Sequence, residues 1–345
     1  MDATIFAFLL QDGLTNGAIY ALLGFALVLL FTVTRIIFIP QGEFVAYGAL
    51  TYAVLRGGGT PATVRLLLVF GATAFLFELW SGRANLTGRS ILSQAVSKIG
   101  LPLAVWTLVA VLAGVARAPI ADLLLTVLIV GPMGPYLYRI AFEPMASASI
   151  LALFIAAVAV HLAMTALGLA FFGAEGMRAE PLIDATLTLG PVPVTGQSLT
   201  VYAAATLLIG ALWFFFGTTI YGKALRATAV NRTGASLVGI GAGLSGRIAF
   251  ALAATIGAVS GVLIVPVTTI YYDTGFIIGL KGFVAAIVGG LVSYPLAGLA
   301  ALGIGIAEAF SSFYASAFKE IIVFSLVVPV LLIRSLGAHD DHEEE

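Results

Sequence analysis

The chain has 345 residues, of which 61% are hydrophobic and only 10% are charged. A soluble globular protein carries about a quarter charged residues, so this composition excludes a soluble domain of this size. It predicts an all-α polytopic membrane protein, with one transmembrane domain over residues 1–345. The net charge of −1 gives no indication of a nucleic-acid partner, and the absence of cysteine excludes disulfides and thiolate metal sites.

About ten transmembrane helices are predicted, because a span needs about 20 mostly apolar residues. The predicted crossings are 14–33, 62–79, 101–115, 120–137, 148–172, 199–216, 248–265 and 321–333, with shorter pieces at 44–55, 279–292 and 296–310. The N-terminal MDATIFAFLL has neither a basic region nor a small-residue cleavage site. No signal peptide is therefore predicted.

The short apolar pieces adjoin residues that break helices. Pro40 and Gly42 precede the piece at 44–55, and Gly289, Gly290 and Pro295 separate the two later pieces. Transporters place short, Gly/Pro-interrupted hydrophobic segments where the backbone lines a cavity. The sequence therefore predicts discontinuous helices beside a substrate path.

Charge distinguishes the connecting segments. The segments 80–100 and 221–247 are basic and contain no acidic residue, which predicts a cytoplasmic location because Lys and Arg resist translocation. The segment 173–198 is net acidic and one span away from 221–247, which predicts the periplasmic side. It could meet a binding protein or be a solvated connector. The tail at 334–345 is interpreted as a solvated acidic end.

The basic segment 221–247 also has local structure of its own. Residues 223–230 are predicted to form one or two helical turns, which Asn231-Arg232-Thr233-Gly234 interrupts. A second short helix over 235–240 is predicted to end at Gly239 and Gly241, with Gly239 in a conformation easy only for glycine. Two small helices suit a docking surface, although a solvated basic loop explains the charges equally well.

The sequence contains no motif of a catalytic centre. It lacks Gly-x-x-x-x-Gly-Lys-[Ser/Thr], Gly-x-Ser-x-Gly and His-Glu-x-x-His, so ATP hydrolysis, catalytic residues, metal ligands and cofactors are not predicted. His161 lies within an apolar span and has no acidic residue nearby in sequence. It is interpreted as a hydrogen-bonding packing residue rather than a ligand or proton relay.

Three stretches carry a resemblance to a known family: 12–22 (DGLTNGAIYAL), 221–240 (YGKALRATAVNRTGASLVGI) and 279–312. They resemble the H-type permease subunits of branched-chain amino acid ABC importers. The region 79–137 looks like an insertion relative to the shorter permeases of the family. The chain also has Asp12 where the family usually has Asn, and at 38–42 it keeps only the glycine of an Asn-Phe-Ala-His-Gly motif.

The resemblance implies a translocation subunit rather than an enzyme. Its expected partners are two ATP-binding subunits, a second permease of the M type, a periplasmic substrate-binding protein and the lipid bilayer of a bacterial inner membrane. The expected substrates are branched-chain amino acids or related small amino acids and carboxylates. A secondary transporter of small organic solutes, working without an ATPase, is the alternative.

The resemblance also implies two sets of site residues. The residues expected to contact an ATP-binding subunit are Lys223, Ala224, Arg226, Asn231, Arg232, Gly234, Ala235, Gly239 and Ile240. The candidates for the substrate path are Asn16, Tyr20, Gln41, Glu43, Lys281, Gly289 and Gly290.

Overall fold

A computed structural model describes residues 3–81, 88–189 and 192–332. Its helices are α1 (Ala3–Thr34), α2 (Gln41–Arg56), α3 (Thr63–Ser81), α4 (Gly88–Ala95), α5 (Leu101–Leu112), α6 (Pro119–Val130), α7 (Met133–Leu137), α8 (Ile150–Phe172), α9 (Gly196–Thr218), α10 (Ile220–Val230), α11 (Arg232–Leu237), α12 (Ala242–Ile264), α13 (Thr274–Val288), α14 (Tyr294–Tyr314) and α15 (Lys319–Ser325). The tail at 334–345 lies outside the described residues.

Eight helices of the described part are long and apolar enough to cross a membrane. They are Thr4–Thr34, Thr63–Ser81, Ile91–Leu112, Pro119–Met145, Ile150–Phe172, Gly196–Thr218, Ala242–Ile264 and Tyr294–Tyr314. Among the described residues, α13 is in addition a shorter apolar helix. The predicted all-α polytopic class is therefore confirmed.

The centre of the bundle is α1, which packs against α14, α12, α13 and α9. This helix is apolar on every side, and such helices are buried in a large core or a membrane protein. Its middle residues are accordingly inaccessible to solvent, among them Ile19, Leu22, Leu23 and Leu30. The second central helix is α2, which packs against α12, α13 and α6.

Glycines allow α1 and α14 to cross with their backbones in contact. A Cβ atom on Gly305 of α14 would lie 2.3 Å from the carbonyl oxygen of Gly13 and 2.6 Å from Cα of Gly17. In lipid, helices associate through close packing rather than a hydrophobic driving force, so small residues concentrate at such contacts. The resemblance at 12–22 thus coincides with a packing surface.

The starts of the short helices α2 and α13 also meet through glycine. A Cβ on Gly42 would lie only 1.9 Å from the carbonyl oxygen of Gly275. Gly42 is therefore a packing residue inside α2. Of the two residues predicted to break the helix, only Pro40 lies before α2. The irregular backbone before α2 is buried in protein, where it is tolerated at membrane depth.

Two predicted loops contain more regular structure than expected. Within the predicted loop 80–100, α4 and a π-helical stretch (Val96–Gly100) lead directly into α5. Lys98 of this stretch pairs with Glu78 of α3 at 3.5 Å. The segment 173–198 contains an antiparallel hairpin of β1 (Thr186–Leu189) and β2 (Val192–Thr195).

The crossing of α1 and α14 gives a test of this packing. Gly305→Ala places a methyl group against the Gly13 backbone, which cannot move aside, and is expected to lower the free energy of unfolding by about 1–3 kcal/mol. Gly303→Ala, on the same helix, meets no atom within 4 Å and should leave stability unchanged or slightly higher, because alanine favours a helix more than glycine does. Thermal midpoints from size-exclusion profiles in detergent measure both. Equal midpoints would contradict the close crossing.

Candidate functional site

The helices α10 and α11 are fixed to the bundle on one face only. Thr219 caps α10, its hydroxyl oxygen accepting from the amide of Gly222 at 3.0 Å. Leu225 and Thr228 are buried beneath the helix, and the Thr228 and Ser245 hydroxyls hydrogen-bond at 3.1 Å. The last contact joins α10 to α12.

The connection between α10 and α11 is a single residue. Asn231 caps α11, its side-chain oxygen accepting from the amide of Gly234 at 2.8 Å. The predicted four-residue interruption is therefore wrong, because the cap satisfies the first turn and lets α11 begin at Arg232.

The end of α11 is a Schellman motif. Gly239 has φ of +88°, its amide donates to Ser236 O at 3.1 Å, and the Ile240 amide donates to Ala235 O at 3.0 Å. The predicted glycine-specific conformation at Gly239 is confirmed.

The outer face of α10 and α11 is apolar and basic. Ile220, Val230, Leu237 and Val238 are each more than 75% exposed, although they lie outside the candidate spans. A cleft of about 620 Å³ opens between the two helices. We call it the coupling cleft, and it is lined by Lys223, Arg226, Ala227, Val230, Asn231, Gly234, Ala235 and Val238.

Five of the nine predicted contact residues line the coupling cleft, namely Lys223, Arg226, Asn231, Gly234 and Ala235. The other four lie on the same two helices or at their end, outside the lining; they are Ala224, Arg232, Gly239 and Ile240. The nine residues lie together because they belong to one short segment, and their contact with an ATP-binding subunit stays a prediction.

A chain of ion pairs begins immediately after the coupling cleft. Arg247 of α12 contacts Glu143 at 2.8 Å, Glu143 contacts Arg139 at 3.2 Å, and Arg139 reaches Glu78 of α3 at 3.5 Å. Glu143 and Arg247 are 104 residues apart, so sequence reasoning missed the pair and treated Arg247 as a loop residue. These ion pairs connect α12 to the end of α3, directly before the region 79–137 that looked like an insertion.

Two predicted path residues, Tyr20 and Lys281, converge on one carboxylate inside the membrane. The Tyr20 hydroxyl donates to Glu308 at 2.7 Å, and the Lys281 ammonium donates to Glu308 at 2.5 Å and to Glu320 at 3.3 Å. Lys281 is only 4% exposed. A buried charge is tolerated only when it is paired and hydrogen-bonded, and these contacts meet that condition.

Glu43 and Gln41 lie apart from Glu308, at the start of α2. The fully buried Glu43 is 2.8 Å from Nδ1 of His161 and 3.4 Å from the hydroxyl of Thr165. Gln41 donates to the Ala253 carbonyl at 2.8 Å. His161 thus hydrogen-bonds to an acidic residue 118 positions away, a partner that the neighbouring sequence did not indicate.

The remaining path candidates lie elsewhere. Asn16 is half-buried on α1, one turn before Tyr20. Gly289 packs against the start of α14, where a Cβ would lie 2.8 Å from the Ala297 amide nitrogen, and Gly290 turns the chain with φ of +72°. The seven candidates therefore lie on α1, at the start of α2, and on or just after α13, and of these helices α1 and α13 bring Tyr20 and Lys281 together at Glu308.

A membrane bundle with short buried helices and an exposed helix pair outside its spans has the architecture of a multi-pass transport protein. Comparison with known families makes this specific. The family described as "Branched-chain amino acid transport system / permease component" matches residues 9–336. The chain belongs to this family.

Curated relatives agree with that assignment. LivH of Escherichia coli K12, a high-affinity branched-chain amino acid transport system permease protein, is 35% identical over 146 residues, 42% of this chain and 47% of LivH. BraD of Pseudomonas aeruginosa, which carries the same description, is 30% identical over 152 residues, 44% of this chain and 50% of BraD. The chain spans about half the length of these relatives in the matches. No solved structure matches it.

The Lys281–Glu308 pair predicts a large effect of a single substitution. Lys281→Met leaves Glu308 buried without its cation, and we expect the free energy of unfolding to fall by about 3–5 kcal/mol. Lys281→Met combined with Glu308→Gln should recover most of that loss, because the other partner of Lys281, Glu320, is partly exposed to solvent. Thermal midpoints in detergent compare the variants. If Lys281→Met alone is as stable as the parent protein, Lys281 does not pair with Glu308 and is free to face the substrate path.

Proposed function

We propose that the chain is the permease subunit of an ATP-driven importer of branched-chain amino acids, or related small amino acids and carboxylates, in a bacterial inner membrane. The observation that carries the proposal is the exposed apolar and basic surface of α10 and α11. The substrate class rests on the family and on the printed descriptions of LivH and BraD.

The outer face of α10 and α11 has the properties of a protein-docking site. Val230 is 87% exposed and Leu237 is 82% exposed. Exposed apolar patches rimmed by polar groups mark protein interfaces. Lys223 and Arg226 add positive charge and form no ion pair within the described residues, so an acidic partner surface would complement them. The same charges favour the cytoplasmic side, where ATP is available.

The proposed complex contains two ATP-binding subunits, an M-type permease and a periplasmic substrate-binding protein. Closure of the ATP-binding subunits would push on the coupling cleft. The Thr228–Ser245 and Glu143–Arg247 contacts tie this region to α12, which packs on α1 and α2. A push would therefore shift central helices between two arrangements, as in other rigid-body switches.

A secondary transporter is the second candidate function. The Glu43–His161 and Lys281–Glu308 pairs favour it, since ionisable groups inside spans are typical of proton-coupled carriers. Such a carrier has no use for an exposed apolar helix pair outside the membrane. Dependence of uptake on ATP and on an ATP-binding subunit distinguishes the two functions.

The function test compares two glycines of one segment. The complex is reconstituted with its ATP-binding subunits and binding protein. Gly239→Val should then reduce ATP-dependent leucine uptake about tenfold or more. The reason is that a side chain in the left-handed region costs about 1–2 kcal/mol. Gly241→Val is the control, because Gly241 has φ of −66° and no atom lies within 4 Å of its Cβ position.

Size-exclusion profiles verify that both variants insert and assemble. Uptake by the parent complex that persists without any ATP-binding subunit would overturn the importer proposal. ATP-dependent uptake that is normal in Gly239→Val would leave the importer standing but remove α11 from coupling.

Sidedness is tested by single engineered cysteines, which are unique labels because the chain contains no cysteine. Ser236 and Thr186 are both exposed, on α11 and in the hairpin. We expect Ser236→Cys to react with an impermeant maleimide only in inverted vesicles, and Thr186→Cys only in intact spheroplasts. The reverse pattern would place α10 and α11 outside the cell and contradict their docking on an ATP-binding subunit.

A further inference from the structure

An apolar groove lies between α1, α9, α10 and the start of α14. Its volume is about 600 Å³, and its walls include Phe25, Leu29, Leu212, Trp213 and Phe216. The side chains of Trp213 and Val230 stand at its edge and are largely exposed. The groove is adjacent to the coupling cleft. It is separate from the Lys281–Glu308 and Glu43–His161 contacts inside the bundle.

The length and position of the groove match one leaflet of a bilayer. Its lining on α9 runs from Ile209 to Gly217, which is about 12 Å along a helix. Half of the hydrocarbon core is about 15 Å thick. The groove therefore follows the last part of a spanning helix and ends where α10 leaves the span.

A basic residue of α10 and two aromatic rings line the groove. The lining includes Arg226, which is exposed and forms no ion pair within the described residues. Trp213 and Tyr294 lie in the same lining, and such rings are enriched at membrane interfaces. A guanidinium group binds phosphate through two parallel hydrogen bonds. The groove thus combines an apolar wall with a cation at headgroup level.

We propose that this groove binds an anionic phospholipid, with an acyl chain along α1 and α9 and its headgroup phosphate at Arg226. Basic pockets between membrane helices bind lipid headgroups by this combination of contacts. A neighbouring protein helix suits the groove less well, because helix interfaces follow whole spans whereas this groove covers one leaflet. The lipid proposal depends on the membrane location of α9 and not on the identity of any ATP-binding subunit.

The groove and the coupling cleft share part of their lining. Arg226 and Val230 line both the groove and the cleft. A phospholipid in the groove therefore forms part of the rim on which a partner docks. Its headgroup would hold the Arg226 side chain on the groove side, away from the centre of the cleft.

Trp213 provides a local probe of the groove. The chain has three tryptophans, and Trp80→Phe with Trp106→Phe leaves Trp213 alone. This full-length variant is reconstituted in phosphatidylcholine vesicles that contain a small fraction of brominated phosphatidylglycerol or brominated phosphatidylcholine. We expect half-maximal quenching of Trp213 at a mole fraction at least about threefold lower for the anionic lipid, which corresponds to roughly 0.65 kcal/mol.

Two variants connect this preference to Arg226. Arg226→Gln should abolish the preference for the anionic lipid, whereas Arg226→Lys should retain part of it. Arg65→Gln, an exposed cation of α3 outside the groove, should have no effect. Equal quenching by both lipids, a preference that survives Arg226→Gln, or protection of Trp213 from both lipids would each overturn the proposal. The last result would indicate a protein occupant instead.

Discussion

The bilayer interior offers no water to ionised groups, and this constraint explains which parts of the chain are held together. An ionisable side chain at the centre of a span costs about 2.5–3.5 kcal/mol or more unless it finds a partner. The described residues meet the constraint with contacts between different helices. Glu43 joins α2 to α8 through His161, and Lys281 joins α13 to α14 through Glu308. Each of these buried polar contacts therefore also joins two helices.

Glycine packing complements these polar contacts. Lipid tails are as apolar as leucine side chains, so apolar surface alone does not select one helix partner over another. Backbone contact at Gly13, Gly17 and Gly305 selects α14 as the partner of α1, and Gly42 with Gly275 selects α13 as the partner of α2. The result is a rigid centre in which four helices meet closely. Such a centre moves as a body rather than deforming locally.

The sequence predicted the features that depend on composition and local geometry. Apolar length located most spans, and the pattern around Gly239 predicted a glycine-specific helix end. Long-range pairing was not accessible, because no local signal connects Glu143 with Arg247 or Glu43 with His161. The Lys98–Glu78 pair was not accessible for the same reason.

The arrangement of α10, α11 and α12 also explains how the exposed surface is connected to the centre. Only Asn231 separates α10 from α11, and the Schellman motif at Gly239 fixes where α11 ends. Thr228 ties α10 to the first turn of α12, and Arg247 ties α12 to Glu143. Because α12 then packs along α2 and α1, a displacement of α10 reaches the start of α2 through folded elements alone. A flexible basic loop would absorb such a displacement, so the capped and packed form of this segment favours a mechanical role over solvation.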